Sequence, residues 1–510
     1  MTGQLPTLTR ESSLPAGARR NGPRVGARAR CALLITGLAA LLGAWIMSTA
    51  PFAGPDEQSH YIRAIGVSEG VILGTKIAYN DPGLTPTQNA FIGRDTRTYE
   101  VARGMSPYDV GCDSGTLGVS GCLEASPNGN FPPLGYVLPA LALRLSHNVS
   151  SALWLGRVGS AIQSFAFLAL ATALLWNATA WSLVGLIAAI SPMVLFVASV
   201  LNPSGVQITA ALALGAAGVR IARDPRRVPP WVLVAFATSG VVTILAGPIG
   251  LAFALIDGCL LGLLLGLAGI RGLWQGNRRA LAGIAAVLVL AALLSLIYTH
   301  IAGFQTTFGF TPFGSSLDQG LDQLPTVLES AVGNFGAAAL PIPLAACWVY
   351  WGLVLVLLAA ALAIGGLRER LMLIAVTLVG LAFPVLYWAW IDRFSGFPVF
   401  AREVMPPLLL IPLAAGEVIY VRRAVLERHR WARPCLAAMV VSLVLFQAYA
   451  WAFNRNRAPH DVTLLPKAVF TPPLGWTPWV ALAAVGIAMM LAFVALDVLG
   501  PPRRRQIATG

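Results

Sequence analysis

Charge is scarce in this sequence. Only 11% of its 510 residues are Asp, Glu, Lys or Arg, less than half the roughly 25% of an average soluble domain. With 56% of residues hydrophobic and a mean hydropathy of +0.72, its surface could not be kept in water, which excludes a soluble globular enzyme. Acids are scarcer than bases, 22 against 35. A Walker motif, a GxGxxG placed after a strand and a CxxC pair are all missing. Their absence argues against ATP-driven transport by this chain alone and against flavin or nicotinamide chemistry. The remaining question is where the few charges sit, because a net +13 taken alone also fits a nucleic-acid binder.

What the chain has in abundance is long apolar runs. Stretches of bilayer-spanning length, about 20 residues each, recur near 31–50, 152–176, 182–200, 204–221, 230–247, 249–269, 280–298, 343–365, 371–391, 403–421, 435–453 and 478–498. They predict an all-α integral membrane protein with about twelve transmembrane helices. The first run is too long for a removable signal, and Pro51 follows the only small-residue cluster, so it is expected to stay.

The basic residues then fall into place. Arg10, Arg19, Arg20, Arg24, Arg28 and Arg30 precede the first span. Alternate loops hold Arg220, Arg223, Arg226 and Arg227; Arg271, Arg278 and Arg279; Arg368 and Arg370; and Arg422, Arg423, Arg428, Arg430 and Arg433. Arg503, Arg504 and Arg505 end the chain. These are 23 of the 35 basic residues, all on one side when twelve spans are threaded. The positive-inside rule makes that side cytoplasmic, so the charge is a topology signal and no nucleic-acid partner is expected. The chain divides into a basic cytoplasmic arm (1–30), a polytopic domain of the plasma membrane (31–498) and a basic cytoplasmic tail (499–510). Extracytoplasmic loops are expected at about 51–151, 302–341 and 454–477.

Loops that long exceed what a scaffold needs, and binding groups concentrate on loops. The large first loop holds Cys112 and Cys122, ten apart in a compartment that permits disulfides. Pairing them would stabilise the loop by about 3 kcal/mol. Cys31, Cys259, Cys347 and Cys435 lie in or beside spans and read as small apolar core residues. The second loop carries Phe304, Phe308, Phe310 and Phe313, which read as a hydrophobic plug on the membrane surface.

Directly after the first span the chain reads Pro55-Asp56-Glu57-Gln58-Ser59-His60-Tyr61-Ile62-Arg63-Ala64. A helix starting after Pro55 puts Asp56 at its cap, with His60 one turn on and Arg63 beside it. The plain reading is a capped interfacial helix with Asp56 tied to Arg63. The sharper reading is a general base with a metal or phosphate partner, since a carboxylate with a histidine suits both. Charges so close to hydrocarbon are costly, which favours a functional use. Further pieces follow: Asn130-Phe131-Pro132-Pro133-Leu134-Gly135-Tyr136, an Asn202-Pro203 turn, Asp392-Arg393, and Ala401-Arg402-Glu403 ahead of Pro406-Pro407. Asp257 lies inside a span, and Glu417 and Asp497 are expected to pair with Arg422 and Arg503.

This order of motifs, from about Leu34 to Leu413, resembles a bacterial family of predicted multi-span membrane proteins of unknown function, grouped with the GT-C glycosyltransferases. The resemblance implies a GT-C-like fold with a large first extracytoplasmic loop. It also implies transfer of a sugar from a polyprenyl-phosphate-linked donor to a glycan or glycolipid acceptor of the cell envelope. Carried over residue by residue, the acid is Asp56, with Glu57 the adjacent candidate. Asp56 would take the acceptor hydroxyl's proton, the lipid phosphate would leave from the opposite face, and the configuration would invert. His60 would orient the acid or help hold a metal. The resemblance leaves open a divalent ion, magnesium or manganese, at Asp56. Arg402 stands where relatives show an arginine between Gly and Tyr; here its neighbours are Ala401 and Glu403. A guanidinium suits a leaving phosphate, with Arg63 and Arg393 as secondary contacts and Tyr136 lining the acceptor groove.

Two other classes compete. A lipid-sugar flippase or transporter would show polar groups at mid-membrane and inverted repeats, whereas the spans here are nearly bare apart from Asp257. A non-enzymatic scaffold or an envelope-polymer ligase would not use Asp56 and Glu57.

Overall fold

The computed structural model describes residues 26–76, 97–101, 122–126, 128–146, 149–302, 311–395, 399–461 and 470–498. Helices follow the apolar runs: α1 Ala27–Ser48, α2 Glu57–Ser68, α3 Val137–Leu143, α4 Val149–Leu175, α5 Val184–Ala189, α6 Pro192–Ser199, α7 Pro203–Arg223, α8 Pro230–Leu245, α9 Gly250–Ala302, α10 Phe313–Gly333, α11 Leu344–Ile364, α12 Leu367–Ser395, α13 Ala401–Leu426, α14 Ala432–Asp461 and α15 Thr477–Asp497.

Among the described residues nine helices are long and apolar enough to cross a membrane. Three features account for the difference from about twelve. The 182–200 run is split at Ser191-Pro192 into α5 and α6, since proline cannot donate the helical hydrogen bond. Helix α8 has only 16 residues. The 249–269 and 280–298 runs join as one helix, α9, broken in φ/ψ at Gly266 and Asn277; Gly266 has φ +57°, which glycine adopts without penalty.

Helices α7 and α13 form the centre, with 89% and 94% of their apolar windows buried. Helices α8, α9, α11, α12 and α15 surround them and turn large apolar side chains outward, including Leu267, Val287, Trp348, Leu378 and Val485. So much exposed apolar surface marks a lipid-facing belt. The chain is an all-α membrane protein. Close approach at the centre depends on Gly185 and Gly416, where a Cβ on Gly416 would lie 2.3 Å from the Gly185 Cα. Small residues at such crossings let helix backbones touch where no water drives association.

The arginine-bearing loops meet one another. Arg30 pairs with Asp497, and Asp497 also accepts from the Ala180 N–H. Arg223 binds Glu417 at 2.6 Å and Arg422 binds Glu369 at 2.9 Å. Arg368 donates to the Leu263 and Leu264 carbonyls beside the Gly266 kink. The expected partner of Glu417 is thereby corrected: Arg422, close in sequence, lost to Arg223, which tertiary packing delivers with better geometry. Arg503, expected beside Asp497, lies outside the described residues.

Three short antiparallel strands, β1 Thr75–Lys76, β2 Arg97–Val101 and β3 Cys122–Ser126, pair in the order β1-β2-β3 within the first large loop. The second expected loop is mostly helix α10, followed by a two-residue pairing of β4 Asn334–Phe335 with β5 Leu340–Pro341. Cys112, Phe304, Phe308 and Phe310 lie outside the described residues, as does the side chain of Cys122, so the expected disulfide falls outside them. Cys31 and Cys347 are buried, whereas Cys259 and Cys435 are exposed on apolar helices.

Candidate active site

The site is built where α1 ends. Pro51 to Pro55 cannot continue a helix, and Asp56 turns the chain through a left-handed conformation (φ 51°, ψ 21°) into α2. Aspartate tolerates this region better than most residues. The Asp56 side chain makes no capping bond to α2. Instead its Oδ2 accepts from Arg402 Nη2 at 2.5 Å, and the carboxylate is 55% exposed against 5% for the guanidinium. Non-glycine residues held in this region cluster at functional sites.

Arg402 enters from the first turn of α13. Its guanidinium lies 4.4 Å from the Phe400 ring centroid and 3.6 Å from Glu403 Oε1. Asp56 is thus its near partner and Glu403 a distant one. The pairing of Asp56 with Arg63 suggested by sequence proximity does not occur. Arg63 is fully buried, and its guanidinium donates to the carbonyls of Phe131 (3.1 and 2.9 Å), Val71 (2.9 Å) and Ile72 (2.5 Å). Tyr298 donates to the same Ile72 and Phe131 carbonyls. A guanidinium committed to four such bonds ties the loop at 71–72 to the one at 131 and has no face left for phosphate.

Glu57 is equally committed. Its carboxylate is 1% exposed and takes Arg157 bidentately, Nε to Oε1 at 2.7 Å and Nη2 to Oε2 at 2.6 Å. The Gly54 and Leu201 N–H groups add bonds of 3.1 and 3.0 Å. Arg157 completes its five donors on the Ile46, Thr49 and Ala50 carbonyls, the open C-terminal end of α1. The sequence reading missed Arg157, although a lone arginine inside an apolar run is itself a flag. The Asn202-Pro203 turn also converges here: Asn202 caps α7 by accepting from the Ser204 N–H and donates to the Pro55 carbonyl at 3.0 Å.

His60 is buried. Its Nδ1 lies 2.7 Å from the Tyr136 hydroxyl, and the Asn128 amide donates to it at 3.3 Å. Burial lowers its pKa from 6.5 to about 3, with Asp56 opposing and Arg402 assisting, because a low-dielectric site disfavours the charged ring. Tyr136 is wholly buried and its pKa is raised, again by burial, so it supports the histidine from beneath and lines no open groove. Arg393 lies in the last turn of α12 with its side chain outside the described residues. Asp257 is buried against Gly215, and its Oδ1 has no hydrogen-bond partner among the described residues.

These positions also test the expected divalent ion. Among the described residues no three His, Cys, Asp or Glu side chains gather to hold a metal. Near Asp56, the Glu57 carboxylate and His60 Nδ1 are both spent on other partners. Among the described residues, one exposed carboxylate already salt-bridged to an arginine is all that this site offers an ion.

The histidine supplies a pH prediction. The folded state prefers neutral His60, so its contribution is fully present above the unfolded pKa near 6.5 and is lost as pH falls toward 3. The stability slope is at most about 1.4 kcal/mol per pH unit. Between about pH 6.5 and 5 most carboxylates stay ionised, so the thermal midpoint of the purified protein in detergent should fall, and His60→Gln should flatten that fall. An equal slope in wild type and variant would reject the assignment.

A search of the curated proteins finds no match. Two crystal structures of ArnT from Cupriavidus metallidurans are similar in shape. The apo form matches at 14% identity and a TM-score of 0.44, covering 91% of this chain and 76% of that one. The form bound to undecaprenyl phosphate matches at 15% and 0.41, covering 91% and 77%. No residue role follows from likenesses so distant. A family model does match, over residues 40–392, most of the stretch whose motifs carry the resemblance though short of Arg402. The chain belongs to that family, the predicted membrane proteins DUF2142.

Proposed function

We propose that the protein is a membrane glycosyltransferase of the GT-C type. It moves a sugar from a polyprenyl-phosphate-linked donor to a cell-envelope acceptor on the extracytoplasmic side, where both long loops lie and from which both termini are excluded. The observation that carries this reading is the contact of an exposed Asp56 carboxylate with a buried Arg402 guanidinium. Of the acids and bases that the sequence motifs bring together, these are the two whose partners are each other; Glu57, His60 and Arg63 are fixed by other groups.

The donor's phosphate competes with Asp56 for Arg402. Bidentate guanidinium–phosphate bonding is strong and directional, so binding the donor releases Asp56. The freed carboxylate takes the proton of the acceptor hydroxyl as that oxygen bonds to the anomeric carbon. The bond from that carbon to the phosphate oxygen breaks, its electron pair stays on the phosphate, and Arg402 balances the charge. Attack opposite the leaving group inverts the configuration. Asp56 acts as a base here, and no step passes through a metal.

Cells lacking the protein should accumulate lipid-linked donor or unmodified acceptor, and restoring the wild-type chain should clear it. An unchanged lipid-linked glycan profile would overturn the reading. Within it, Arg402→Lys should raise the KM for donor more than it lowers kcat, because a lysine keeps charge but loses the forked contact. A donor KM equal to wild type would remove Arg402 from the phosphate.

A further inference from the structure

A groove of about 740 Å³ lies between α8 and the second half of α9, away from the Asp56–Arg402 contact. Its walls are apolar: Leu233, Val234, Ile284 and Val287 are among them. Its rim is polar, with Arg278 and Arg279 side by side at the break in α9. Both arginines are exposed, and neither has an ion pair among the described residues. The neighbouring cavity of about 500 Å³ differs in this respect. Its Arg223 and Arg422 are each bound to a glutamate that lines the same cavity.

The break at Asn277 is a built feature. The Asn277 amide donates to the Pro225 and Leu273 carbonyls at 3.2 Å each, and a Cβ at Gly276 would lie 2.3 Å from the Arg226 carbonyl oxygen. The loop at 225–226 therefore clamps the helix where it bends. The helical run that restarts at Arg278 opens at the groove, and the positive end of a helix adds to the field of its arginines. Two such cations at one end of an apolar channel, at the edge of the lipid-facing belt, complement one ligand chemistry: an anionic head on a hydrocarbon chain. Basic side chains at such a surface attract the headgroups of anionic lipids.

The geometry points to a binding site for an anionic phospholipid in this groove, its phosphate between Arg278 and Arg279 and an acyl chain along Val234, Ile284 and Val287. Native mass spectrometry of the full chain tests it, after exchange into micelles with equal phosphatidylglycerol and phosphatidylcholine. The wild type should retain phosphatidylglycerol at least several-fold over phosphatidylcholine. The double variant Arg278→Gln, Arg279→Gln should lose that preference, while Arg428→Gln, Arg430→Gln on another basic loop should keep it. Val234→Trp, which fills the channel and leaves both arginines, should lower retention of the lipid. Excess inorganic phosphate should not displace it, because the chain contributes to binding. No preference in the wild type, or an equal preference in the double variant, would overturn the site. Retention unaffected by Val234→Trp but abolished by phosphate would overturn the lipid and leave a bare anion contact. Unchanged thermal midpoints would show that the variants fold.

Discussion

Asp56→Asn should lower sugar transfer by about 10²- to 10⁴-fold, the usual worth of a positioned proton acceptor, while the protein folds and inserts as before. The physical case for an intact fold is specific. Asp56 is more than half exposed on its side chain, and the asparagine carbonyl oxygen still accepts from the buried Arg402 guanidinium. Asparagine also accepts the left-handed backbone at this position (φ 51°) as readily as aspartate does. Asp56→Ala adds about 1–2 kcal/mol of backbone strain and separates the two effects, since only the alanine variant should lose thermal stability. The amide that replaces the carboxylate cannot take a proton from an acceptor hydroxyl, so kcat should fall, while the donor KM should fall as well because the charge that competes with the phosphate for Arg402 is gone. Transfer by Asp56→Asn at the wild-type rate would take Asp56 out of the base role, whatever became of Arg402.

The second large effect is structural and concerns Arg157, the partner of the adjacent Glu57. Arg157→Met should destabilise the protein by about 3–5 kcal/mol, the usual cost of removing one partner of a buried ion pair. Both side chains are fully buried. The variant would strand the Glu57 carboxylate with only the Gly54 and Leu201 N–H groups, and would take the guanidinium from the Ile46 and Thr49 carbonyls and leave Ala50 with the Ala53 N–H alone. Arg157→Lys should recover little, because three rotatable donors cannot replace five in a fixed fork. The readout is the thermal midpoint in detergent together with the fraction that stays monodisperse. A midpoint equal to wild type would show that this pair does not hold the α1–α2 loop. Because that loop presents Asp56, residual folded Arg157→Met should also transfer sugar more slowly.

Much of the architecture is legible in the sequence because its signals are local. Apolar runs state their own length, and arginines cluster where helices leave the membrane. The arrangement of Pro55-Asp56 after the first run marked the region where Asp56 meets Arg402, and the Asn202-Pro203 turn proved to brace it. The partners of those residues were not legible. Arg402 lies 346 residues from Asp56, Arg157 lies 100 from Glu57, and Tyr136 lies 76 from His60. Proximity along the chain suggested Arg63 for Asp56 and Arg422 for Glu417, and each pairing went instead to a group from a different helix. The small sheet of the first loop was also missed. Its described strands are two to five residues long, too short for an alternation to stand out.

By itself, the sequence determined that the chain lives in a membrane, where its long apolar helices fall and which short segment carries the spare charge. These follow from composition and periodicity, and bilayer thickness converts them into structure. Tertiary packing alone decided which charges are spent and which are free. A guanidinium in a low-dielectric interior must satisfy its donors, and whether it does so on carbonyls, a buried carboxylate or an exposed one depends on which helices are brought alongside. Arg63 and Arg157 are consumed in holding loops, and Glu57 with them. Asp56, at the surface end of its pair with Arg402, keeps an open face.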